Sequence, residues 1–499
     1  MDEKNNELKR GLKARHLNMI ALGGSIGTGI FVAMGDTLNQ AGPGGALLAY
    51  GLIGIMVYFL ITSLGEMATH MPISGSFSTY ATKFIDPALG FALGWNYWYN
   101  WAITVAAEMV AGSLIMKYWF PNVSGFVWSI MFLIIIVGLN ILSSKAYGES
   151  EYWFAGIKVV TVIVFLIIGI LMIVGIMGGS EIGFHNYVVE DGPFHGGIKS
   201  IFAIFLIAGF SFQGTELIGV AAGESENPEK TIPKAIKSIF WRILIFYLGT
   251  IIILGAIIPF TEASVDTSPF TMVFERAGVA GAASLMNAII LTSVLSAGNS
   301  GMYASTRMLF SMAKEGMAPK LFAKTNKRGV PINALILTTI VASACFLTGI
   351  FAESTVYVWI VAASGLAGFI AWVGIAVCHY RFRKAFIHQG KDLGTLKYKA
   401  MWYPFGPILA LLMCIIIIVG QGYSCIKPDG VDWQGLIASY IGIPLFVGLY
   451  AWYKIKYKTK VIPLDEVDLS YNDNTSASDN SSKEVNDETL LSNTSFDLN

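Results

Sequence analysis

The chain has 499 residues, of which 54% are hydrophobic and only 13% are charged, and its formal net charge is zero. A soluble domain is nearer a quarter charged, so this composition argues against one, and the balanced charge gives no case for nucleic-acid binding. The four cysteines show no metal or disulfide spacing, and we expect no cofactor. These features predict an all-α integral membrane protein.

Apolar runs of about 20 residues recur along the chain, and each is long enough to cross a bilayer core of roughly 30 Å. We therefore predict a domain of twelve transmembrane helices over residues 16–456, embedded in the lipid bilayer. Residues 1–15 form a charged tail before it. Residues 457–499 are rich in Asn, Ser, Asp and Glu and are expected to be disordered. The predicted spans are 16–40, 43–69, 90–118, 124–143, 152–178, 197–222, 236–259, 280–312, 332–351, 355–379, 403–423 and 434–453.

Lysine and arginine are concentrated in the two tails and in alternate loops between these spans. Loops that carry an excess of Lys and Arg remain on the cytoplasmic side of a membrane. The pattern therefore predicts that both termini are cytoplasmic.

The first span contains the segment IALGGSIGTGIF, residues 20–31, in which four glycines surround Ser25 and Thr28. Glycine is a poor helix former, so we expect the helix to be interrupted around Ser25, Gly27, Thr28 and Gly29. An interrupted helix inside a membrane is tolerated where protein or a wet cavity satisfies its backbone, which indicates a binding site. The alternative is a glycine-rich helix packed closely on its neighbours.

A second interrupted segment, AGFSFQGTE, lies at residues 208–216 in the sixth span. Interruptions in spans 1 and 6 suggest that spans 1–5 and 6–10 form inverted structural halves. No repeat is visible in the sequence itself.

Several motifs resemble those of bacterial amino acid permeases of the amino acid–polyamine–organocation superfamily. They are GGSIGTGIF, AGPGGALLAY, GFALGWNYWYNW, FSFQGTELIGVAAGESENP and SAGNSGMYASTRML. Within that family, GWNYWYNW, FSFQGTELIG and the GESENP turn look most like lysine-specific permeases. The resemblance implies a LeuT-like fold of five plus five inverted helices, with broken helices 1 and 6. It also implies proton-driven uptake of L-lysine by secondary active transport.

The resemblance also implies a substrate site. The first interruption would hold the α-carboxylate and α-amine, and the second is expected at Gly209, Phe210 and Ser211. Phe210 would cover the substrate, with ordinary packing as the alternative. Asn299 in span 8 would donate to the substrate or bond span 1.

Charged residues inside the membrane are costly and commonly functional. Glu108 and Glu216 are the candidate partners for a lysine side-chain ammonium, and Glu216 is also a candidate proton carrier. Its alternative role is to bond backbone amides freed at the break. Lys158 resembles the span-5 lysine of proton-coupled relatives and is a candidate coupling residue, with a permanently charged structural lysine as the alternative. Glu66 lies near a cytoplasmic end and is expected to be solvated or to cap a loop.

Other classes of protein fit the sequence less well. No HExxH motif is present, and GFSFQG at residues 209–214 is not a GxSxG elbow, so we expect no enzyme. A lysine-binding membrane sensor, an amino acid exchanger, or a permease for arginine, histidine or aromatic amino acids remains an alternative.

Overall fold

The computed structural model describes Arg15, Met19 and residues 26–73, 75–142, 144–178, 183–225, 227–264, 267–278, 281–427 and 430–470. In these ranges the regular secondary structure is helical apart from two short antiparallel strands, β1 Ile426–Lys427 and β2 Gly430–Val431. The α-helices are α1 Thr28–Phe31, α2 Ala33–His70, α3 Ser76–Phe84, α4 Pro87–Met116, α5 Gly125–Asn140, α6 Ser144–Ile173, α7 Gly197–Phe212, α8 Leu217–Ala221, α9 Pro228–Arg242, α10 Gly249–Ile257, α11 Pro269–Arg276, α12 Ala282–Lys314, α13 Ile332–Ala342, α14 Glu353–His388, α15 Phe405–Gly420, α16 Trp433–Tyr440 and α17 Gly442–Tyr457.

Seven helical segments in the described ranges are long and apolar enough to cross a membrane. They are Ala33–His70, Tyr147–Ile173, Gly197–Ala221, Ala282–Lys314, Ile332–Gly349, Glu353–His388 and Phe405–Tyr423, and two shorter apolar helices are Gly125–Asn140 and Ile245–Ile257. The predicted class, a helical protein of membrane-spanning type, is confirmed at this level. The count of twelve spans stays a prediction.

α2 consists of two helical segments that meet at a kink at Gly42 and Pro43. Gly42 has φ +69°, and Pro43 has no backbone N–H to continue the helical ladder. The amides of Gly44 and Gly45 instead donate to the Pro193 carbonyl at 2.8 and 3.2 Å. A single long helix is therefore divided where the first two predicted spans meet.

The interruption between α7 and α8 lies at residues 213–216, within the predicted segment 208–216 but after the position that the family resemblance implies. Gly209, Phe210 and Ser211 are still helical, and Gly214 adopts φ +92°. A Cβ on Gly209 would lie 2.5 Å from the Phe369 ring, so this glycine permits close packing of α7 on α14. The prediction of a break at residues 209–211 was therefore wrong by a few residues.

The core of the protein is formed around α4, which is buried along nearly its whole length. α6 has two faces: Glu151, Ala155 and Lys158 are buried, whereas Val160 and Ile167 are more than half exposed. Large apolar side chains facing outward are expected where a helix contacts lipid rather than water. These three buried residues are spaced by four and three positions, so they lie on one face of α6, the face toward the core.

The segment after α17 remains attached to the helical unit. The amide of Ile462 donates to the Ile85 carbonyl at 2.8 Å, and Gln389 Nε2 donates to the carbonyls of Leu464 and Val467 at 3.0 and 2.8 Å. The sequence placed these residues in a disordered tail. The compact unit instead extends to Val467, and a second unit, Asp468–Asn499, is described only as far as Ser470.

Glu66 lies outside the candidate site, near the end of α2. It is fully buried and accepts hydrogen bonds from Arg383 and, at 2.6 Å, from the Ala400 amide. His379 Nε2 is 3.2 Å from the same carboxylate. Glu66 therefore caps a loop and pairs with residues of α14. Of the two expected roles, solvation and loop capping, the structure shows loop capping.

Candidate functional site

The two interrupted regions of the chain meet at the centre of the helical unit. A Cβ on Gly29 would lie 2.3 Å from Ser211 Cα, so α1 and α7 approach with backbone against backbone. A Cβ on Gly27 would lie 2.9 Å from the Ala297 methyl of α12. The glycines of the first span are therefore required by close approach, and they also face the site described next.

A small cavity of about 20 Å³ lies at this meeting point. It has room for about one water molecule and is too small for an amino acid. Six of the residues that the sequence predicted for substrate binding line it, namely Gly27, Thr28, Gly29, Glu108, Phe210 and Ser211. The remaining lining residues are Trp101, Thr104, Gln213 and Ala297.

Glu108 is the acidic group of this cavity. It is 3% exposed, and its Oε1 accepts a hydrogen bond from Thr28 Oγ1 at 2.9 Å. Its Oε2 has no hydrogen-bond partner among the described residues. A buried carboxylate oxygen without a donor is costly, which makes this atom the place where a cationic or protonated partner would be stabilised.

Ser211 is held by two tyrosines. The Tyr50 hydroxyl lies 2.8 Å from Ser211 Oγ, and the Tyr247 hydroxyl donates to the Ser211 carbonyl at 2.6 Å. All three residues are buried. The Tyr50 contact ties the end of α7 to the part of α2 that follows Pro43, and the Tyr247 contact ties it to the π-helical turn Ile243–Leu248.

The opposite wall carries a polar network that the sequence analysis missed. The hydroxyls of Thr104 and Ser364 are 2.6 Å apart, and Gln213 Nε2 donates to the Ser364 carbonyl at 3.1 Å. Ser364 Oγ also lies 3.1 Å from Asn100 Oδ1. Because Ser364 is far from the others in the chain and has no local motif, only the fold brings it here.

Glu216 follows the break and does not line the cavity. Its carboxylate accepts from the Gly214 amide at 3.2 and 3.3 Å and from the Tyr97 hydroxyl at 3.2 Å, and Trp372 Nε1 lies 3.5 Å away. Glu216 thus binds a backbone amide freed at the break. This contact corresponds to the alternative role that the sequence analysis allowed for it.

Asn299 also lies away from the cavity. Its side-chain nitrogen donates to Glu151 Oε1 at 3.0 Å, and its oxygen accepts from Asn140 at 2.7 Å. The expected contact with span 1 is not seen among the described residues. Ser296 Oγ donates to the other oxygen of Glu151 at 2.7 Å, which makes Glu151 the centre of this cluster.

Lys158 is completely buried on α6, and the carboxylates of Glu151 and Glu108 interact with its charge. Glu151 lies seven residues before Lys158 in the chain. Seven residues are two helical turns, so both side chains are on the same face of α6. The candidate Ser25 lies outside the described residues.

Fold and site together define a helical, membrane-spanning protein with a small closed polar site between two interrupted segments. The family model described as Amino acid permease matches residues 16–464, and the chain belongs to this family. It is therefore a multi-pass membrane protein.

Two lysine permeases and a histidine permease are similar to the chain over nearly its whole length. The lysine-specific permease LysP of Escherichia coli (strain K12) is 54% identical over 475 residues, which cover 93% of this chain and 97% of that protein. LysP of Lactococcus lactis subsp. cremoris (strain MG1363) is 56% identical over 477 residues, 93% of each chain. Histidine permease HisP of the same strain is 52% identical over 476 residues, covering 94% and 99%.

Proposed function

We propose that this permease imports L-lysine by proton symport, with a central site that is alternately accessible from the two sides of the membrane. The observation that carries the proposal is the buried carboxylate of Glu108, which lines the small cavity and whose Oε2 has no hydrogen-bond partner among the described residues. The similarity to two lysine-specific permeases supports lysine as the substrate.

In the proposed complex the side-chain ammonium of lysine pairs with Glu108. The α-carboxylate lies against the backbone amides around Gly27, Thr28 and Gly29, where interrupted backbone has polar groups to offer. Ser211 and Phe210 complete the site from α7, with Phe210 covering the substrate. Because the cavity holds about one water molecule, α1 and α7 must separate before lysine enters.

The proposed architecture has twelve spans with the LeuT-like arrangement of five plus five inverted helices. Both termini lie in the cytoplasm. The Lys- and Arg-rich loops and tails support this orientation.

Proton coupling is assigned to Lys158 and Glu216. Lys158 is buried and interacts with Glu151 and Glu108, so its charge reaches the substrate site. In this proposal, loss of the Lys158 proton weakens that interaction and favours opening toward the cytoplasm. Glu216 responds by changing how firmly it holds the Gly214 amide at the break.

The proposal is tested by uptake of radiolabelled amino acids into proteoliposomes, with and without an inward proton gradient. We expect lysine to accumulate only with the gradient. Lysine methyl ester and cadaverine lack a free α-carboxylate and should compete poorly. If cadaverine competes as well as lysine does, the proposed α-carboxylate site is wrong.

Histidine is the second candidate substrate, because a histidine permease is 52% identical to the chain. The same panel separates the two amino acids. Lysine counterflow without a proton gradient, together with no uphill uptake, would favour an exchanger. Lysine binding without any uptake would favour a sensor.

A further inference from the structure

A second cavity, of about 200 Å³, lies one helical turn from the central site. Ala33 on α2 lines it, one turn beyond Gly29, and Ile207 on α7 lines it, one turn before Ser211. Ser211 Oγ donates to the Ile207 carbonyl at 3.0 Å, so the two cavities are adjacent along α7. The volume of the second cavity is about ten times that of the central one.

The charge of this second cavity is one-sided. Among the described residues that line this cavity, Asp36 is the one acidic residue and no residue is basic. Asp36 is partly buried, and its Oδ2 accepts a hydrogen bond from Gln40 Nε2 at 2.7 Å. A partly desolvated carboxylate without a basic neighbour in its cavity attracts a cation.

Tyr357 lies between the two cavities. It lines the larger one and is 2% exposed. Its hydroxyl lies beside Thr28 yet completes no hydrogen bond among the described residues. A buried hydroxyl in this state has a donor available for a ligand.

We propose that this cavity is an outer waiting site for a basic amino acid, occupied before the central site opens. The side-chain ammonium pairs with Asp36, and the Tyr357 hydroxyl donates to the α-carboxylate. Trp359, which also lines the cavity, offers apolar surface to the aliphatic stem. The inference rests on the proposed transport of lysine and adds a second binding position, which makes selection for a cation a two-step process.

The test compares lysine uptake kinetics in proteoliposomes for the wild type and three variants. Asp36→Asn removes the charge, Asp36→Glu keeps it, and Asp191→Asn removes an exposed acid from the loop before α7 as a matched control. We expect Asp36→Asn to raise KM for lysine about tenfold, as befits loss of one charge-assisted contact, with a maximal rate within twofold of wild type. Asp36→Glu and Asp191→Asn should stay within threefold of the wild-type KM.

Equilibrium dialysis with radiolabelled lysine then distinguishes a site from long-range attraction. The wild type should bind two lysines per chain at saturation, and Asp36→Asn should bind one. An unchanged KM in Asp36→Asn, an equal loss in Asp36→Glu, or one lysine per chain in the wild type would overturn the waiting site. If the wild type takes up no lysine at all, the proposed function itself fails, which is a separate result.

Discussion

At the scale of single residues, Gly29 controls how closely the two interrupted segments approach. Its missing side chain lets the backbone of α1 lie against Ser211, and Ser211 in turn is fixed by Tyr50 and Tyr247. Protein interiors are packed closely enough that one additional methyl group is felt.

Gly29→Ala should weaken lysine binding at least tenfold, because its Cβ would lie 2.3 Å from Ser211 Cα and push α1 away from α7. Binding to purified protein measures the effect. Gly51→Ala is the matched control, since a Cβ there meets nothing within 4 Å. Normal binding by Gly29→Ala would contradict the proposed site.

Glu108→Gln should weaken lysine binding about tenfold or more and affect norleucine, which lacks the side-chain ammonium, much less. Gln keeps an oxygen that can accept from Thr28, so the packing of the site is preserved. Competition assays with both amino acids provide the measurement. Equal losses for the two ligands would make Glu108 a structural acid.

At the scale of elements, the break between α7 and α8 depends on Gly214 and on the carboxylate that binds its amide. A φ of +92° is unfavourable for any residue with a side chain, whereas Glu216 stabilises the conformation by accepting the freed N–H. The break is therefore built from one backbone angle and one hydrogen bond.

Gly214→Ala should destabilise this conformation by about 1–2 kcal/mol and slow lysine uptake several-fold. Gly138→Ala in α5 serves as the control, since nothing lies within 4 Å of its added Cβ. Initial rates of uptake, normalised to the protein incorporated, measure the difference. A wild-type rate in Gly214→Ala would show that the break tolerates a side chain.

The start of α4 is held by Asp86, which accepts from the Ala88 amide at 2.9 Å and pairs with Lys454 of α17. Burial alone would raise the pKa of the Asp86 carboxyl, but the hydrogen bonds from Lys454 and Ala88 outweigh burial and hold the pKa below its ordinary value. The pair thus stabilises the folded state while Asp86 is ionised.

Asp86→Asn keeps the helix cap but removes the charge, so it should lower the unfolding temperature by roughly 1–2 °C at pH 7. Because the folded-state pKa is the lower one, this contribution is present above the unfolded pKa of about 4 and is lost as the pH falls further. Thermal unfolding of both proteins across pH 3–7 tests this. A difference that persists unchanged at pH 3 would contradict it.

Local patterns predicted the glycine-rich start of the site but not its far walls. Gly27, Thr28, Gly29, Glu108, Phe210 and Ser211 line one cavity, and their role in substrate binding stays a prediction. The break in span 6 was misplaced because Gly209 and Gly214 look alike in sequence, and only packing shows which one leaves the helix.

The sequence analysis missed side-chain contacts between distant parts of the chain for a different reason. The contact of Ser364 with Thr104 joins helices that are distant in the chain, so no spacing rule reveals it. The proximity of Glu151 to Lys158 could have been predicted, since residues seven apart on a helix share a face.

At the scale of the whole molecule, buried charged residues link α6 to the central cavity. Asn299 and Ser296 of α12 hold Glu151, Glu151 and Glu108 act on Lys158, and Glu108 is bonded to Thr28 of α1. In the proposed mechanism, a change of charge at Lys158 would therefore affect α1, α4, α6 and α12.

Lys158→Ala should retain lysine binding and counterflow but lose uphill uptake driven by a proton gradient. Removing the ammonium leaves the substrate contacts of α1 and α7 in place while deleting the group assigned to coupling. Accumulation ratios in proteoliposomes with an imposed gradient measure this, and Glu216→Gln should reduce the same ratio. If Lys158→Ala still concentrates lysine, the coupling residue lies elsewhere.

The attachment of residues 462–467 to the helical unit affects how the protein can be fused to a reporter. A reporter joined directly after α17, at Tyr457, would delete the carbonyls of Leu464 and Val467 that Gln389 binds and the Ile462 amide that binds Ile85. A junction beyond Val467 keeps all of these bonds. Fluorescent or affinity fusions at the later junction should therefore give higher yields of folded protein than fusions at the end of the last helix.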